Sequence, residues 1–350
     1  MSGAAWEYWV VFLGAAISCM TLIPLVIRFA TRRNLLDQPG GHKSHEEAVP
    51  YLGGIAIVAT FVSAVLVASA LWPPSGNRKE LLIVLGLATS ISIIGFVDDL
   101  RPVSPVWRLT TEVSIALIVW SMGTGVSVTG IESMDLALTI LWFVGITNAF
   151  NLLDNMDGLA AGLSTIVCMT VFAIAVSTGQ FMVATAAIGL AGCTTGFLRY
   201  NFHPARIYMG DGGALFVGFM VAYLGIKLRP DGVKAVSALV PVVVCSVAVF
   251  DTGLVTISRL GRGLSPFLGG QDHLSHRLVK LGLSVPVAVG SIYFGAIGIG
   301  VLSYAISGAD TTTGLVLIGL IMATLITVGV FLLHVEVGSE DSPHVDGAKD

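Results

Sequence analysis

Long apolar runs alternate with short polar stretches along the whole chain. A helix needs about 20 mostly apolar residues to cross a hydrocarbon core. On that basis the runs at 6–27, 51–72, 79–97, 108–123, 136–150, 158–177, 181–198, 213–228, 235–258, 285–307 and 313–333 predict eleven transmembrane helices. The runs at 108–123 and 136–150 are short for the task. The expected fold is therefore all-α and polytopic, with residues 1–335 as one transmembrane domain and 336–350 as a polar tail.

Composition supports this division. The 350 residues are 55% hydrophobic and 11% charged, against about 25% charged in a soluble domain. Trp6, Glu7 and Tyr8 stand where a signal peptide would carry a basic segment, so the first run is expected to stay as a helix. Cys19, Cys168, Cys193 and Cys245 lie inside apolar runs without CxxC spacing and read as small core hydrophobes, not as disulfide or zinc residues. The net charge of -4 changes little, because lipid covers most of the surface.

The placement of positive charge is more informative. With the N-terminus outside, the loops at 28–50, 98–108, 151–157, 199–212 and 259–284 and the tail face the cytoplasm, and they hold 13 of the 18 Lys and Arg. The bias of basic residues toward inner loops then predicts an outer N-terminus, and an odd helix count predicts an inner C-terminus. Those loops also carry "HKSH" (42–45), "DDL" (98–100), "NLLDNMDG" (151–158), "YMGDGG" (208–213) and "DHLSHR" (272–277). Five polar clusters on one face of a helical bundle predict one site built from many loops.

Each cluster has an ordinary reading beside the functional one. Asp98 and Asp99 end an apolar run, where a carboxylate pair repels itself and needs a positive neighbour; an exposed helix end is the plain alternative. Asn151, Asp154 and Asp157 are spaced by three, which stacks them on one face of a helical end. Oxygen ligands of that kind suit Mg2+, with Mn2+ as a substitute; capping of the following helix accounts for one of them at most. Asp211 sits among Gly210, Gly212 and Gly213 before an apolar helix, suited to close backbone approach by an anion, yet Gly-Asp-Gly is also an ordinary turn. His273, His276 and Arg277 could grip a diphosphate, or form a solvated loop. Asp251, inside an apolar run, reads either as a functional intramembrane acid or as the structural partner of a nearby loop Arg, and is left out of the core site. Gly158 and Gly162 read as helix packing.

Taken together, "LLDQPGGHKSHEEAVPYLGG", "GFVDDL", "NAFNLLDNMDGLAAG", "NFHPARIYMGDGGALFVG" and "DHLSHRL" resemble the polyprenyl-phosphate N-acetylhexosamine-1-phosphate transferases over essentially the whole chain. The resemblance implies transfer of a sugar 1-phosphate from a UDP-N-acetylhexosamine to undecaprenyl phosphate, with release of UMP, at a bacterial inner membrane. It implies Mg2+, with Asp98 and Asp99 as the essential acidic pair and Asp211 and Asn151 at the metal. It places Asp154 and Asp157 in the nucleotide-site motif, Asn201 and Tyr208 facing the uridine, and Lys43 on phosphate. The partners it implies are the UDP-sugar, the lipid phosphate and the bilayer, with room for a homodimer and no nucleic acid.

"HLSHR" departs from the three consecutive His of the peptidoglycan translocases, which favours a simple UDP-sugar such as UDP-GlcNAc. Arg108 stands where a Lys is usual and Glu112 where a Gln is common. The muramoyl-pentapeptide translocase remains the near alternative, and a transporter the distant one. The acidic pair could act as a base or as a covalent nucleophile. The second pKa of a phosphate monoester, near 6, favours direct attack by the lipid phosphate.

Overall fold

The computed structural model describes residues 5–37, 48–72, 78–232, 234–266 and 270–335. Lys43 and the 336–350 tail lie outside the described residues. The chain is a helical bundle in which consecutive long helices run up and down: α1 (Ala5–Arg32), α2 (Gly53–Leu71), α3 (Arg78–Leu100), α4 (Pro105–Ser121), α5 (Glu132–Leu153), α6 (Leu159–Ser177), α7 (Phe181–Asn201) and α8 (Gly210–Lys227). Three short helices α9 (Lys234–Ser237), α10 (Val240–Val244) and α12 (Leu274–Lys280) accompany α11 (Ser246–Gly261), α13 (Val285–Ser307) and α14 (Thr311–Leu333). A two-residue ribbon pairs β1 (Leu36–Asp37) with β2 (Val49–Pro50) antiparallel.

Among the described residues, eight helices are long and apolar enough to cross a membrane: α1, α2, α3, α5, α6, α7, α13 and α14. Three of the eleven expected spans differ. The run at 108–123 becomes α4, only 17 residues long. The run at 213–228 becomes α8, whose 18 residues start on Gly210 and Asp211 and end on Lys227. The run at 235–258 is divided among α9, α10 and α11. Pro241 falls in the first turn of α10, a position where its missing N–H costs nothing and its fixed φ starts a helix rather than continuing one. Hydrophobicity alone does not reveal such a restart.

Helix α8 is the centre of the bundle. From Gly212 to Ile226 every residue except Tyr223 is buried, and α2, α3 and α5 pack around it. Small residues allow the approach. A Cβ on Gly95 of α3 would lie 2.6 Å from the Asp211 carbonyl carbon, and one on Gly218 would lie 2.7 Å from the Thr147 carbonyl oxygen of α5. Gly54 of α2 meets the backbone of Gly213 in the same way. Close packing of small residues gives helices in lipid the van der Waals contact that stands in for hydrophobic burial. The periphery shows the opposite pattern, with apolar side chains such as Phe294 and Val301 of α13 and Val316 of α14 left exposed.

The two ends of the bundle differ. At one end Glu80 accepts hydrogen bonds from Lys227 at 2.6 Å, Tyr223 at 2.9 Å and Thr124 at 3.2 Å, which ties α3, α8 and the turn after α4 together. The other end gathers the last turns of α3, α5 and α7 with the first turns of α4, α6 and α8. There the Gly53 N–H donates to the Tyr208 carbonyl at 2.9 Å, and the Tyr208 N–H to the Pro50 carbonyl at 2.7 Å, so the ribbon and the base of α2 are held to the segment preceding α8.

Candidate active site

Four of the five polar clusters meet at that second end, through contacts between helix termini. Asp99, in the last turn of α3, accepts the Asp211 N–H at 2.8 Å and the Gly212 N–H at 3.2 Å. These are free N–H groups at the start of α8, where a carboxylate is favoured by both hydrogen bonding and the helix dipole. Gly210 has a φ of 72°, and a Cβ there would lie 2.7 Å from an Asp99 oxygen. The glycines of "MGDGG" therefore let α3 reach the α8 terminus, and Asp99 aims Asp211.

Asp98 faces the other way. Its Oδ1 accepts the Val103 N–H at 2.7 Å, and its Oδ2 lies 3.3 Å from Arg108 Nη1. The same Nη1 is 3.5 Å from Asp211 Oδ2. The Asn151 amide donates to Asp211 Oδ1 at 2.8 Å. Asp98 of α3 and Asp211 of α8 thus share one guanidinium, and Asn151 of α5 is tied to Asp211.

The next wall is the turn between α5 and α6. Asp154 caps α5, close to Asp211, Asp99 and Asp157; burial and these three charges push its carboxyl up to about 7. Asp157 accepts the Ala205 N–H at 3.0 Å and pairs with His203 Nδ1 at 2.8 Å. Gly158, at φ 79°, is the N-cap of α6, and its N–H goes to Asn201 Oδ1 at 3.1 Å, so neither Asp154 nor Asp157 caps that helix. Asn201 is fully buried, and its amide nitrogen donates to the Ile207 carbonyl at 3.0 Å. That leaves Asn201 holding the loop in shape rather than presenting its amide to a ligand. Tyr208 is half-buried on the same side; burial, then Asp157, Asp37 and Asp154, raise its phenol above the usual range. It lies beside Asp154 and Asp157, the wall that the resemblance assigns to a nucleotide.

A model of the glycosyl transferase family 4 matches residues 81–229, the stretch that carries these groups apart from Asp37. A probable undecaprenyl-phosphate N-acetylglucosaminyl 1-phosphate transferase of Bacillus subtilis is 33% identical over 293 residues, which cover 81% of this chain and 80% of the relative. The chain belongs to glycosyl transferase family 4. A decaprenyl-phosphate N-acetylglucosaminephosphotransferase of Mycobacterium leprae is 30% identical over 360 residues, covering 91% of this chain and 88% of its own. A phospho-N-acetylmuramoyl-pentapeptide-transferase of Heliobacterium modesticaldum is 32% identical over 248 residues, 64% of this chain and 75% of its own.

The last cluster of this family 4 chain joins the site indirectly. The Ser275 hydroxyl donates to Asn155 Oδ1 at 2.7 Å, which attaches α12 to the α5–α6 turn. His273 is buried, with Nδ1 2.7 Å from Asp251 Oδ2, and Asp251 also accepts the Leu274 N–H at 2.7 Å. The partner of Asp251 is therefore a His and a backbone N–H, where the structural reading had a loop Arg. His276 packs edge-on to His273, and burial together with that neighbour lowers its imidazole to about 4, leaving it neutral near pH 7.

Arg277, expected to hold a diphosphate, is wholly buried. Its Nε donates to the Asp272 carbonyl at 2.9 Å, Nη1 to the Leu332 carbonyl at 2.7 Å and the Val335 carbonyl at 3.1 Å, and Nη2 to the Ser258 hydroxyl at 2.6 Å. A guanidinium has five donors, and four of them are taken up by α11, α14 and the start of α12. Arg277 is a strut. Sequence reading had no signal for this, because its acceptors are backbone carbonyls 55 and 58 residues away. It also passed over the bidentate pair of Arg259 with Asp272, at 2.8 and 2.6 Å. There "D" before "HLSHR" was the available clue. Burial alone would raise Asp272, but the Arg259 guanidinium more than offsets it and holds the carboxyl below the usual range.

Proposed function

We propose that this chain transfers N-acetylglucosamine 1-phosphate from UDP-N-acetylglucosamine to undecaprenyl phosphate, or a polyprenyl phosphate of similar length, and releases UMP. The observation that carries the reading is the sharing of Arg108 by Asp98 and Asp211, with Asn151 bonded to Asp211, at one end of a membrane bundle. A lipid phosphate enters from the bilayer beside such a site, and a nucleotide from the water. The relatives named for N-acetylglucosamine match 81% and 91% of this chain and the muramoyl-pentapeptide relative 64%, which favours the simple sugar.

The donor set suits Mg2+. No three His, Cys, Asp or Glu side chains among the described residues form a metal cluster, but Mg2+ is commonly held by one or two protein carboxylates plus substrate phosphates and water. Two carboxylates that share one guanidinium mark a place where positive charge belongs. Asp211 and Asn151 would hold the ion, with Asp98 at its edge. When bound, it would screen the diphosphate and stabilise the departing UMP.

The chain's own groups set up the rest. An oxygen of the lipid phosphate attacks the β-phosphorus, the bond from β-phosphorus to the bridging oxygen breaks, and UMP departs with that oxygen. Asp98 keeps the lipid phosphate ionised, and Asp99 fixes Asp211. Asp154, Asp157 and Tyr208 line the nucleotide side, with Tyr208 against uracil. The site faces the cytoplasm, with the N-terminus outside and the C-terminus inside.

The test is purified protein with undecaprenyl phosphate, Mg2+ and a panel of UDP-sugars. UMP release that requires both UDP-GlcNAc and the lipid phosphate supports the reading. Preference for the muramoyl-pentapeptide donor would move the chain to the translocase alternative, and absence of any lipid-linked product would overturn the reading.

A further inference from the structure

Arg108 stands between two sets of acids. One nitrogen, Nη1, is 3.3 Å from Asp98 Oδ2 and 3.5 Å from Asp211 Oδ2. Its Nε is 4.0 Å from Glu112 Oε1, one turn further along α4. Glu112 is 3% exposed. Its Oε2 accepts from the Asn148 amide, while its Oε1 is buried without a hydrogen-bond partner. An unsatisfied buried carboxylate oxygen is costly, so the arrangement makes sense when another state of the site uses that oxygen.

A divalent ion held at Asp211 would supply that state. It brings two positive charges to the acids that Nη1 now serves. Like charges this close repel strongly in a partly buried site, so the guanidinium and a cation would compete for the same acids. Glu112 Oε1, already 4.0 Å from Arg108 Nε but without a hydrogen bond, is the adjacent carboxylate oxygen, and residues four apart share a helix face, so side-chain rotation alone can turn this long ion pair into a hydrogen-bonded one. Resting on the metal reading above, we propose that Arg108 is a metal-linked counter-ion. It neutralises Asp98 and Asp211 in the metal-free protein and passes to Glu112 when the cation binds, which clears Asp98 for the acceptor phosphate. Arg108 and Glu112 are positioning residues in this scheme.

The experiment is Mn2+ binding, read by electron paramagnetic resonance, to the purified full chain without nucleotide or lipid phosphate. Arg108→Gln is expected to tighten Mn2+ binding by about tenfold, because a competitor is removed. Glu112→Gln is expected to weaken it by about fivefold, because Arg108 loses its alternative partner. In the Arg108→Gln background, Glu112→Gln should change binding less than twofold. Arg108→Met replaces Arg108→Gln if the latter melts early. A Glu112→Gln effect of the same size in both backgrounds means that Glu112 acts on the metal through space, and overturns the proposal. Unchanged or weaker binding in both Arg108 variants also overturns it. Asp211→Asn separates the two readings: if it binds Mn2+ like the wild type, the metal assignment itself falls and the counter-ion falls with it.

Discussion

Asp99 and Asp98 are neighbours in sequence and face different tasks. Asp99 spends both oxygens on the N–H groups of Asp211 and Gly212, whereas Asp98 shares Arg108 with Asp211. Asp211→Asn is expected to lower metal affinity and turnover together, with partial rescue at high Mg2+ or with Mn2+. Asp99→Asn should follow it, through a misdirected Asp211, with a loss of about 1–2 kcal/mol in metal binding. Asp98→Asn should lose turnover with a smaller loss of metal affinity than Asp211→Asn, and if Asp98 is a base its defect should shrink as pH rises and the lipid phosphate ionises unaided. Steady-state rates against Mg2+ and pH distinguish the three. Asp154 offers a stability test. Its carboxyl is raised to about 7 in the folded chain by burial and by Asp211, Asp99 and Asp157. Between the unfolded value near 3.9 and 7 the folded state binds the extra proton, so this group costs stability as pH rises through that window. Asp154→Asn should therefore raise the melting temperature in metal-free buffer more at pH 8 than at pH 5. A larger gain at pH 5 would contradict the assignment.

At the scale of elements, the residue pattern reported helix positions well and helix partners poorly. The end of α3 on Asp98 and Asp99, the end of α5 near Asn151 and the start of α8 at Gly210 were all legible, because polar and glycine residues interrupt apolar runs there. The restart at Pro241 was hidden inside a continuous apolar run. So was the role of Arg277, whose loop looked like a phosphate grip while its acceptors sit at the end of α14. Arg277→Ala leaves those carbonyls and Asp272 without their donor, and should cost about 2–4 kcal/mol of stability. The thermal midpoint should fall, while the KM for UDP-sugar in the surviving folded protein stays near the wild-type value. A normal melting curve with a raised KM would restore the substrate role. Gly95→Ala tests the α3–α8 contact, since its Cβ would meet the Asp211 backbone at 2.6 Å. It is expected to reduce both stability and metal binding, where a site built independently of this packing would lose only the first.

For the whole molecule, the two ends differ in polar content, and the proposed active site lies at the end where the motifs meet. The Glu80, Tyr223 and Lys227 cluster closes one end, and the four motifs among the described residues lie toward the other. Reporter fusions after residue 335 and within 229–234 should answer oppositely; matching answers would divide the proposed site between two sides of the membrane. The central claim is that the sugar travels with its phosphate. UDP-GlcNAc labelled with 32P at the β-phosphate, mixed with the purified chain, Mg2+ and undecaprenyl phosphate, tests this most directly. Label recovered in the lipid fraction, with unlabelled UMP formed in equal amount, is the predicted result; label retained in soluble UDP, with the sugar alone on the lipid, would contradict it.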